Sequence, residues 1–170
     1  MATLAVIGIV LFISYTLISV ITFGVPKSLS ESYYLWLIKN PKLEWPFRTV
    51  LVLTAFLLIP AMLWLGEESI FQFTGFLTPA CLAMVGAASD YANPKSIDKW
   101  WHPVSAYICS ASAILWEIFI AERIDFLMLA FALFVALSAI TKTTFKSYVF
   151  WLEMTCFFSI FACLIKILYF

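Results

Sequence analysis

Residues 4–23 read LAVIGIVLFISYTLISVITF, a run without one charged side chain. A helix of about 20 mostly apolar residues crosses the ~30 Å hydrocarbon layer of a bilayer. The run is continuous and lacks the in/out alternation of a barrel strand, so a helix is the expected form. It is long for the apolar core of a secretory leader, and no Lys or Arg precedes it. The first basic residue, Lys27, follows it, which predicts a retained span with its N-terminus outside.

Five more windows have the same character: Phe47–Leu65, Ile70–Ala88, Pro103–Ala121, Phe126–Ile140 and Tyr148–Tyr169. The Phe126–Ile140 window is short. The expected fold is therefore all-α, a polytopic transmembrane bundle of six spans forming a single domain over residues 1–170. No domain boundary, low-complexity tract or repeat interrupts it. The loops of the two three-helix halves do not match, which argues against an inverted repeat.

Composition agrees. Apolar residues make up 64% of the chain, charged residues 12%, and mean hydropathy is +1.02. A soluble domain is nearer half apolar and about a quarter charged. An ordinary soluble domain and a disordered chain are thereby excluded. Ten basic residues balance ten acidic ones, so no basic field exists to attract nucleic acid. Cys81, Cys109, Cys156 and Cys163 lie in apolar runs without a C-x-x-C pair and read as small packing residues.

The charges are lopsided. Loops one, three and five hold Lys27, Lys39, Lys42, Arg48, Lys95, Lys99, Lys142 and Lys146, whereas the other side holds only Arg123 and Lys166. The positive-inside rule puts the lysine-rich loops in the cytoplasm and both termini outside. Trp45, Trp64, Trp100, Trp101, Trp116 and Trp151 fall near span ends, at headgroup level.

Depth sorts the polar residues. In the first loop, Ser28 and Glu31 fit an S-x-x-E capping box for a short interfacial helix starting near Leu29, and Ser30 adds a further hydroxyl. His102 is the single histidine and precedes Pro103, a residue suited to a first helical turn. It reads either as a cap or as a proton-handling or ligand-binding group. His102, Ser105, Cys109, Ser112 and Trp116 share one helical face, the pattern of close packing between membrane helices. Pro60 and Pro79 fall inside spans, where each frees a carbonyl. Glu117 and Glu153 lie within spans, where charge is costly and functional by default. Glu117 and Lys166 have matching outer depth and suit an ion pair. Ser28, Ser30, Glu31, Arg48, Asp90, His102, Ser105 and Glu153 form a cytoplasmic-side set, the expected polar cavity for a ligand.

The stretch PKSLSESYY at 26–34, TAFLLIPA at 54–61, and VGAASDY at 85–91 followed by HPVSA at 102–106 resemble an uncharacterised family of small multi-span membrane proteins from gut bacteria and their phages. The resemblance implies the fold and brings no activity. A fainter one is to the alkaline-ceramidase-like membrane hydrolases, which place several histidines, a Ser and an Asp around zinc. His102 stands alone here, and no H-x-x-x-H occurs.

Three functions compete. The first is a protein that binds or passes a small molecule, lipid or ion through the cytoplasmic-facing cavity. The second is a membrane-embedded metal-dependent lipid hydrolase, with Asp90, His102 and Glu153 as ligands and Ser30 nearby; zinc prefers more His or Cys than this. The third is a structural or interaction protein, a phage or host accessory. No motif implies a cofactor or a nucleotide.

Overall fold

The computed structural model describes residues 1–121, 133, 136, 137, 140 and 147–169. Its regular elements are helices: α1 (Ala2–Phe23), α2 (Glu31–Lys39), a 3-10 turn (Pro41–Leu43), α3 (Trp45–Leu65), α4 (Gln72–Ala87), α5 (Asp98–Phe119) and α6 (Tyr148–Tyr169). Five of the six expected windows thus coincide with α1, α3, α4, α5 and α6. The Phe126–Ile140 window and the loops on either side of it lie largely outside the described residues. Ala2–Phe23, Pro41–Leu65 and Tyr148–Tyr169 are long and apolar enough to cross a membrane, and Gln72–Ala87 is a shorter apolar helix.

Two boundaries differ from the sequence reading. Helix α5 begins at Asp98, so Pro103 lies inside it and His102 is no cap. The carbonyl that Pro103 leaves unanswered belongs to Lys99, which is exposed and can be solvated. Helix α2 begins at Glu31 rather than Leu29. Ser28 Oγ accepts from the Glu31 N–H at 3.2 Å, as a capping box requires. The Glu31 carboxylate, however, turns back to the Lys27 N–H and lies 3.7 Å from Lys27 Nζ.

The helices form a closed ring. Helix α3 packs on α1 and α4, α4 packs on α5, and α6 touches both α1 and α5. Small residues allow the close approaches. A Cβ on Gly75 would stand 2.8 Å from the Met62 carbonyl oxygen, and one on Gly86 2.8 Å from Leu51 Cβ. Weakly polar pairs tie α4 to α5. Thr78 Oγ1 donates to Ser112 Oγ at 2.9 Å, and Cys109 Sγ donates to the Thr78 carbonyl at 3.3 Å. Trp116, fully buried, donates from Nε1 to the Met62 carbonyl at 3.3 Å. The stripe read on α5 is therefore a packing face. The outward faces carry Ile7, Val10, Leu17, Ile21, Phe56, Phe76 and Phe158, all exposed.

Gly24 ends α1 with φ +78°, a left-handed conformation that glycine adopts at no steric cost. The chain then turns under the bundle. Pro26, Leu29, Ser30, Ser32 and Tyr33 are buried, so this first loop is an inserted plug as well as a surface helix.

Candidate functional site

Backbone buried in a loop has no helix ladder to satisfy it and needs other partners. The plug finds them on α1, α5 and α6. The Phe150 N–H of α6 donates to the Lys27 carbonyl at 3.0 Å. The Leu29 N–H donates to Glu153 Oε2 at 2.6 Å. Ser32 Oγ donates to the Leu29 carbonyl at 2.6 Å. That hydroxyl has one proton, so the 2.7 Å contact with Tyr15 of α1 is a donation from the phenol to Ser32.

Ser30 turns the other way, to α5. Its hydroxyl lies 2.9 Å from His102 Nε2, and His102 Nδ1 lies 2.8 Å from the Ala88 carbonyl. A carbonyl only accepts, so Nδ1 carries the proton. In the neutral ring Nε2 is then a bare acceptor, and the Ser30 O–H donates to it. The ring of Tyr91 stacks on the imidazole with centroids 4.4 Å apart and planes 23° apart. His102 and Ser30 are both buried. Burial holds His102 below its ordinary value of 6.5, opposed by its bond to the Ala88 carbonyl. Burial also pushes the Tyr91 phenol up to about 12, helped by the nearby Tyr34 and opposed by a hydrogen bond with Ser28.

Behind Ser30 opens a cavity of about 60 Å³ inside the ring. Its apolar walls include Leu51, Leu82, Val85, Ala113, Phe157 and Ile160; Ser30 and Glu153 line it as well, and so does Ser110 of α5. At roughly 10–15 Å³ per water-sized group, it holds about four or five non-hydrogen atoms.

The structure thus gathers three of the expected site residues, Ser30, His102 and Glu153, and disperses the rest. The cavity wall is mainly apolar, in contrast to the polar cavity expected from sequence. Ser28 lies beside Tyr91, and Glu31 meets Lys27. Arg48 donates from Nε to Ser89 and from Nη2 to Tyr33 Oη at 3.1 Å, bracing the loop ends. Asp90 accepts from Asn93 Nδ2 at 2.9 Å, and its N–H donates to Asp98 at 3.1 Å. Ser105 is buried on the packing face of α5. Among the described residues, the one ion pair is Lys27–Glu31, and none joins Glu117 to Lys166. Also among the described residues, no three His, Cys, Asp or Glu side chains stand close enough to share a metal ion.

Sequence reasoning missed Tyr91, Ser32, Tyr15 and Ser89. Tyr15 and Ser19 were findable: they share a buried face of α1 with Gly8 and Phe12 at helical spacing. Trp36 Nε1 donates to Ser19 Oγ at 3.0 Å, so that face also docks α2. Comparison with family models, curated proteins and solved structures gives no match for this chain.

The buried imidazole makes a pH prediction. As pH falls through about 6.5, the unfolded chain takes up a proton that the folded ring resists. Stability is therefore full above that value and declines below it. Thermal unfolding in detergent between about pH 7.5 and about pH 5.5 will show this decline, and His102→Gln will flatten it, while still offering an amide to one of the two partners.

Proposed function

We propose that this chain is a six-span protein of a bacterial inner membrane, with both termini outside, that binds a small amphipathic ligand in the cavity between α3, α4, α5 and α6. Three helices of spanning length, the apolar outward faces and the one-sided lysines support the membrane setting. On this topology the plug and the Ser30–His102–Glu153 head lie toward the cytoplasm. Ligand enters with its apolar end among Leu82, Val85 and Ile160 and its polar end at Ser30 and Glu153.

The observation that carries the reading is the cavity itself. It has an apolar wall with a hydroxyl and a carboxylate at one end. A pocket of that kind, largely apolar with a few convergent polar groups, is the usual form of a small-molecule site. An apolar wall with polar atoms at one end favours a short-chain alcohol, acid or ester over a bare ion.

Two measurements test it. Fluorine resonance of 3-fluoropropanol, five non-hydrogen atoms, added to the protein in nanodiscs, will show saturable binding that Ala113→Phe weakens at least about tenfold by filling the cavity, a loss of about 1.4 kcal/mol. Uptake that never saturates, or is equal in the variant, contradicts the site. Single cysteines in a cysteine-free background will react with an impermeant maleimide at either terminus in intact spheroplasts, and at positions 39 or 95 only after lysis. The reverse pattern contradicts the topology.

A further inference from the structure

We propose that Ser30 is a nucleophile activated by His102, and that the cavity holds the acyl group of a short-chain ester or thioester for transfer to Ser30. The inference rests on the ligand-binding reading of the cavity and adds chemistry to it.

Geometry supplies the parts that nucleophilic catalysis by a hydroxyl requires: a nucleophile, a base in hydrogen-bond reach, and a third group that orients the base. Ser30 Oγ is 2.9 Å from Nε2, and Nδ1–H is held by the Ala88 carbonyl at 2.8 Å. The tautomer is thereby fixed with the basic lone pair facing the hydroxyl, and Tyr91 stacked on the ring resists its rotation. A purely structural Ser–His link needs no access to a ligand. Here Ser30 lines the cavity and His102 does not, so the residue bonded to the base is also the one that borders the ligand space. The apolar wall has room for an acyl chain of about four or five non-hydrogen atoms.

The step balances without a metal or a redox partner. Ser30 Oγ attacks the acyl carbon and its proton passes to Nε2. The tetrahedral intermediate collapses, the bond from acyl carbon to the leaving oxygen or sulfur breaks, and Nε2 returns the proton to the leaving group. Water then repeats the sequence: its proton goes to Nε2, its oxygen adds to the acyl carbon, and Ser30 departs as the alcohol with that proton. Products are a short carboxylic acid and an alcohol or thiol. Glu153 acts as a positioning residue. Its carboxylate accepts from the Leu29 N–H at 2.6 Å and so fixes the backbone that carries Ser30.

The test uses the full chain in nanodiscs and a butyl fluorophosphonate probe, which replaces the P–F bond with an Oγ–P bond. Mass spectrometry of the digested protein will place the adduct on Ser30, absent from Ser28 and Ser32, and heat-denatured protein will not form it. His102→Ala will slow adduct formation at least about a hundredfold, the scale of lost general-base catalysis. Glu153→Ala will slow it, whereas Glu153→Gln, which keeps an acceptor for the Leu29 N–H, will restore it. The wild-type adduct site does not depend on any variant folding. No adduct on Ser30, or an equal rate in His102→Ala, overturns the proposal. If 3-fluoropropanol still binds the same preparation, the nucleophile falls and the binding reading stands; if binding is lost too, both fall.

Discussion

The structure depends on one constraint: a loop driven into the end of a helical ring must have its polar atoms answered from inside. In a low-dielectric setting an unanswered donor or acceptor costs about 1–3 kcal/mol. The Leu29 peptide is held on both sides, its N–H by Glu153 and its carbonyl by Ser32. Tyr15 then supports Ser32, and His102 with Ala88 answers the Ser30 hydroxyl. These partners come from α1, α5 and α6, so one short segment links all three, and His102 carries the link on to the Ala88 carbonyl at the end of α4.

The same constraint creates the chemistry. The plug brings a hydroxyl and a carboxylate to the head of a space that the helices would otherwise leave wholly apolar. The Glu153 carboxyl is answered there by the Leu29 N–H. His102 is neutral by burial and oriented by a carbonyl, so an imidazole that could have been a simple tie has its free lone pair aimed at a serine. Packing and reactivity draw on the same hydrogen bonds.

Much of the fold was legible in the sequence. Continuous apolar runs placed five helices, four of them to within about two residues at either end, because length and hydropathy are local properties. The grouping of Ser30, His102 and Glu153 at one depth was legible too. Their convergence was not, because depth says nothing about rotation around a helix. Helices apolar on nearly every side mark their inward face only weakly; on α1 the spacing of Gly8, Phe12, Tyr15 and Ser19 is the one mark. The polar cavity was over-read: Arg48, Asp90 and Glu31 share the level but are drawn to loop partners, Ser89, Asn93 and Lys27. The start of α5 was misplaced because Pro103 suits a first turn so well, yet its missing bond costs little opposite the exposed Lys99.

The linkage through His102 can be observed directly, since the chain has one histidine. Nitrogen-15 resonances of selectively labelled, untagged protein in nanodiscs report which ring nitrogen carries the proton. A single neutral tautomer is expected near neutral pH, protonated at Nδ1, with Nε2 showing the shift of a hydrogen-bond acceptor that changes in Ser30→Ala. A proton on Nε2, or a fast-averaged pair of tautomers, would contradict it.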